Sequence, residues 1–248
     1  MFGRLPYLAD ISGLRGFKTT YVTNMNGILF WSTQNLTNVD ALANWNTANV
    51  KNMGSLLYSW NVNHRELDIS GLKNWNTSNV TDMHSMFCGC DFKNAEALRN
   101  WNTSNVTDMS SMFGDSDDGG SLQNLDALSS WDVSNVTDMN FMFYMCPIEN
   151  LNALSNWDVS NVTNMSDMFH ACSIENLNAL SSWDVSKVTN MSDMFSYCIK
   201  LTDASGINEW NIRKNCSFSK MFESCPTHPE FTKITGTWDS NGTFTPND

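Results

Sequence analysis

The chain is poor in several things at once. Proline occurs 5 times in 248 residues, and charged side chains make up 16%. Basic residues are fewer still, 14 Lys and Arg against 26 Asp and Glu, which leaves a formal net charge of −12. A chain this acidic repels phosphate backbones and anionic membrane surfaces, so nucleic acid is not an expected partner. No run of 18 apolar residues occurs, so no transmembrane helix and no membrane insertion are expected. The opening stretch MFGRLPYLADISGL lacks the apolar core of a signal peptide. No proline- or glycine-rich linker interrupts the chain, which reads as one domain over residues 1–248.

What is present is repetition. Tryptophan stands at 45, 75, 101, 131, 157, 183 and 210, at intervals of 30, 26, 30, 26, 26 and 27 residues. Phe17 holds the equivalent place one unit earlier, and Trp238 lies in a degenerate tail. A period of this size indicates an array of stacked units. The clearest copy is LSNWDVSNVTNMSDMFHAC, from Leu154 to Cys172. Leu154, Trp157 and Val159 form an L-x-x-W-x-V pattern in which Trp157 and Val159 share one side of a short extended segment, with Asp158 on the other. Met165, Met168, Phe169 and Cys172 follow at i, i+3, i+4 and i+7, the spacing of one helical face, with Thr163 placed as an N-cap. The expected fold class is therefore α/β, a leucine-rich-repeat-like solenoid of about eight strand–turn–short-helix units. Residues 1–30 read as an N-terminal cap and first repeat, 31–225 as the repeats, and 226–248 as a C-terminal cap or tail.

The WDVSNVTDM run with its following M-F resembles the bacterial surface-protein repeat of the Listeria and mycoplasma lipoprotein type. Its V-T-x-M-x-x-M-F-x-x-C portion is similar to BspA-like leucine-rich repeats, and the match extends over about residues 10–225. The resemblance implies a leucine-rich-repeat-like fold and a cell-surface or secreted location, and the lack of a visible signal peptide keeps a cytoplasmic location as the alternative. It brings no catalytic residue.

The candidate binding residues are the polar side chains beside each tryptophan. Asn46, Asn76, Asn102, Asp132, Asp158 and Asp184 follow it, and Asn156 precedes Trp157. If Trp and Val face inward, these rows face solvent on the concave side of the solenoid. The expected function is a non-catalytic binding or adhesion module that recognises a protein or glycan through this face or through the longer loops. The alternative is an intracellular repeat scaffold.

The chemical constellations are weak by comparison. Cys88 and Cys90 with His84 lack a second ligand pair at zinc spacing. His170 and Cys172 lack a group to orient the imidazole. Asp115, Asp117 and Asp118 begin like a calcium loop but lack its distal Glu. Cys90, Cys146, Cys172, Cys198 and Cys225 recur three residues after the Phe, as small buried thiols would. No enzyme, cofactor or metal site is expected.

Overall fold

Turns, not strands and helices, close each repeat. The computed structural model describes residues 2–59, 65–114 and 122–247. Among them are four strands: β1 (Leu67–Asp68), β2 (Phe92–Lys93), β3 (Gly236–Trp238) and β4 (Phe244–Pro246). β1 pairs in parallel with β2, and β3 and β4 form an antiparallel hairpin. Eight short 3-10 helices, from Ser12–Gly16 to Ser205–Ile207, complete the regular elements, with no α-helix among the described residues.

These findings overturn the expected α/β solenoid of strand–turn–short-helix units. The described residues hold no curved, strand-rich sheet, so the similarity to leucine-rich and BspA-like repeats does not extend to the fold. The longer insertions fall partly at 60–64 and 115–121, outside the described residues, as do the calcium-like Asp115, Asp117 and Asp118.

The reason lies in where the backbone hydrogen bonds go. Every buried N–H needs a partner. In the segment read as a helix, the amides of Met165, Asp167, Phe169 and Ala171 donate to Asn190, Ser192, Met194 and Ser196 of the next repeat. The intervening amides of Met168, His170 and Cys172 donate back to Met165, Asp167 and Phe169, closing successive turns. A helix would satisfy all of these internally and leave the repeats unjoined. The alternation requires left-handed residues, and Asp167 (φ 57°) and Ala171 (φ 55°) supply them. Ser55, Ser85, Ser111, Phe141 and Asp193 occupy the first of these positions in other repeats.

Asx turns shape the rest of the unit. In one repeat Asn150 Oδ1 accepts the amide of Asn152, Asp158 Oδ1 that of Ser160, and Asn164 Oδ1 that of Ser166. Short polar side chains that bond the backbone two residues on bend the chain without glycine or proline, which explains how a proline-poor chain turns so often. The third turn also carries the join between repeats. Single parallel bridges link Asn24, Asn52, Asp82, Asp108, Asp138, Asn164, Asn190 and Ser217 in series.

The core runs the length of this stack. Trp157 is 4% exposed, and its Nε1 donates to the Leu128 carbonyl of the preceding repeat at 3.2 Å. Trp45, Trp75, Trp101, Trp131, Trp183 and Trp210 make the same bond. Phe17, which has no such donor, occupies this place in the first unit. Phe143, Phe169 and Phe195 stack at 5.6 and 5.7 Å between centroids. No disulfide joins the seven cysteines. The thiols of Cys146, Cys172, Cys198 and Cys225 donate to the carbonyls of Phe113, Phe143, Phe169 and Phe195. Burial raises Cys172 and Cys198 and pushes Cys225 up to about 11, so these thiols stay protonated. At the far end Phe222 donates to Gly242 in the β3–β4 hairpin, at the place where earlier repeats meet a successor.

Candidate metal site

The residues expected to bind a partner are exposed, but they hold turns together. Asn46, Asn76, Asn102, Asp132, Asp158 and Asp184 each accept, through Oδ1, the backbone amide two residues on, all at 3.0 Å. That role explains how Asn gives way to Asp midway along the row, because both offer the same oxygen. Hydrogen bonds from Ser160 and Ser186 hold the Asp158 and Asp184 carboxyls below the usual carboxylate range. Asn156 stands exposed before Trp157. No strand runs through any of these positions. Among the described residues the concave strand face is absent, so the adhesion reading loses the surface it required and the scaffold alternative loses the strand–helix solenoid it was built on.

A different group of side chains comes together on the turn segments. Asp167 and Asp193 occupy the same left-handed position in successive repeats, so stacking sets their carboxylates side by side. His170 lies three residues after Asp167, across one turn. One ligand atom from each of Asp167, His170 and Asp193 falls within 4.8 Å of the others. Side chains of Asp167 and His170 are only 19% and 17% exposed. His170 Nδ1 sits 3.7 Å from Asp167 Oδ1 and is buried with no hydrogen-bond partner. The imidazole is held between two tyrosines, stacked on Tyr144 at 4.7 Å and tilted against Tyr197 at 5.4 Å.

Electrostatics mark the same place. Burial, and then the charge of Asp193, push the Asp167 carboxyl up to about 6. Burial raises Asp193 as well and lowers His170, favouring a neutral imidazole. Burial and both carboxylates raise Tyr144. Two half-buried carboxylates beside a neutral imidazole repel one another unless a proton or a cation lies between them.

In a second cluster, one ligand atom from each of Asp82, His84 and Asp108 lies within 4.8 Å of the others. Its imidazole is already engaged: His84 Nδ1 lies 2.6 Å from Asp82 Oδ1, and Asn52 Nδ2 donates to Asp82 Oδ2. Sequence reading missed the first cluster because 23 residues separate His170 from Asp193. The available signal was the shared column, since aligned repeats place Asp167 over Asp193.

A family model described as "Mycoplasma protein of unknown function, DUF285" matches residues 1–62, 57–150 and 120–238, in three overlapping passes along the repeats. No curated protein matches the chain.

Proposed function

Since the chain belongs to the Mycoplasma family of unknown function DUF285, a membership that assigns it no activity, we propose from its own residues that it binds a divalent transition-metal ion through Asp167, His170 and Asp193. The unpartnered, buried Nδ1 of His170 facing two stacked carboxylates carries this reading. Mixed imidazole and carboxylate donors suit zinc and its first-row neighbours, whereas calcium and magnesium take oxygen donors throughout. Three protein donors leave a four-coordinate ion one position for water or another ligand.

The test is thermal unfolding of chelator-treated protein with added Zn²⁺ or Ca²⁺. At a hundredfold excess over Kd, zinc stabilises by about 2.7 kcal/mol, a rise in Tm of roughly 5–10 °C for a chain of this length. Calcium gives no comparable rise. The zinc effect disappears in His170→Ala and in Asp193→Ser, the latter restoring the residue type found at Ser85 and Ser111. An equal zinc response in both variants, or none in the parent protein, overturns the assignment.

The same reading places the protein at the cell surface or in a secreted form, where it meets ions directly. The sealed thiols are compatible with an oxidising exterior, and among the described residues no helix is long and apolar enough to cross a membrane. Protease added to intact source cells is expected to remove the chain; protection until lysis defeats the location. A net charge of −12 disfavours a nucleic-acid partner there.

A further inference from the structure

We propose that Ser55 is a nucleophile, activated by His84 and positioned to accept the acyl group of small carboxylic esters. The site shares no residue with the Asp167, His170 and Asp193 cluster, and its success or failure is independent of that reading. Ser55 Oγ lies 3.5 Å from His84 Nε2, and His84 Nδ1 lies 2.6 Å from Asp82 Oδ1. With Nδ1 protonated and donating to the carboxylate, Nε2 is left to accept the serine proton. Asp82 is held in turn, because its Oδ1 also accepts the His84 amide and its Oδ2 accepts Asn52 Nδ2. A nucleophile–base contact of this length is looser than a formed hydrogen bond, as is common before substrate binds.

Gly54 provides the room for this contact. A Cβ there would stand 2.3 Å from His84 Cε1, so the imidazole occupies the space that any side chain would fill. Ser55 also borders a shallow, open surface depression lined by Gly3, Arg4, Asn26, Gly27 and Phe30. Phe30 offers an apolar wall, stacked on Trp31 and Tyr58. Asn26 and the exposed Arg4 border the same depression, with the Arg4 guanidinium over the Trp31 ring.

The repeats supply their own controls. Ser85 and Ser111 occupy the same left-handed position as Ser55, with φ of 52° and 54° against 51°. Their amides meet Ser110 and Asn140 in the following repeat, whereas that of Ser55 meets His84. The left-handed backbone therefore belongs to the repeat, and the imidazole is what distinguishes Ser55.

The chemistry balances with water as the only co-reactant. Ser55 Oγ attacks the ester carbonyl carbon while its proton passes to His84 Nε2. The C–O bond to the alcohol breaks, and the alcohol leaves with that proton. Water then adds to the acyl-serine with His84 again taking the proton, the bond to Oγ breaks, and the proton returns to Ser55. The products are one carboxylic acid and one alcohol.

The experiment treats the full chain with an alkyl fluorophosphonate and maps the adduct by peptide mass spectrometry, with hydrolysis of 4-nitrophenyl acetate as a second readout. The expected result is one adduct on Ser55, none on Ser85 or Ser111, and none in Ser55→Ala. His84→Gln lowers both rates by about 100-fold or more, the scale of general-base assistance. Gly54→Ala, which leaves all three functional side chains in the sequence, lowers labelling as well. Thermal melts establish that each variant is folded, and His84→Gln, at a partly exposed position, carries the test should Gly54→Ala fail to fold. No adduct on Ser55, equal labelling of Ser85 and Ser111, or undiminished labelling in folded His84→Gln overturns the proposal.

Discussion

Ala171→Pro is expected to lower the free energy of unfolding by about 3 kcal/mol or more, and Ala171→Gly to raise it by about 1 kcal/mol. Ala171 sits at φ 55°, where an L side chain crowds its own carbonyl and glycine does not. Its amide donates to Ser196 in the next repeat at 2.7 Å. Proline removes that donor and demands φ near −65°, so it breaks both the turn and the join. Gly89 already stands at the equivalent position in an earlier repeat, with φ 64°. The pair of substitutions separates the two conformations of this segment. In a helix glycine costs about 0.5–1 kcal/mol relative to alanine, so chemical denaturation showing a destabilised Ala171→Gly would return the segment to the helical reading.

Phe169→Ala is expected to cost about 3–5 kcal/mol, the range for truncating a fully buried aromatic. Phe169 has no exposed surface, stacks between Phe143 and Phe195, and tilts against Trp183. Its neighbours are held by hydrogen bonds on both sides and have little freedom to fill the space. The loss should couple to the adjacent repeat: Phe169→Ala and Phe195→Ala together should depart from the sum of the single effects by about 0.5–3 kcal/mol. Equilibrium denaturation of the two single variants and the double variant measures this. A loss below about 1 kcal/mol for Phe169→Ala would show that the column is not a packed core.

Much of the interior was legible from the residues. The 26- to 30-residue period placed each tryptophan, and the M-x-x-M-F-x-x-C spacing named side chains that are buried in the structure: Met165, Met168, Phe169 and Cys172. The same spacing misled on conformation. A helical face and a run of alternating turns bury the same positions, so periodicity alone does not separate them. The polar row from Asn46 to Asp184 looks in sequence like a surface awaiting a partner, because sequence shows exposure without showing that each Oδ1 already holds an amide. Asp167, His170 and Asp193 form a ligand set divided between repeats, which has no local spacing to reveal it. Ser55 and His84, 29 residues apart, escaped for the same reason.

The order of the chain thus settles the length of each repeat, which side chains face inward and where the Asx turns fall, because these depend on periodicity and on side chains bonding their own backbone. The conformation between those turns, and the meeting of groups on neighbouring repeats, are set by stacking. An amide joined to the next repeat is withdrawn from any helix, and one repeat laid on another turns residues 26 apart into neighbours, as Asp167 and Asp193 are.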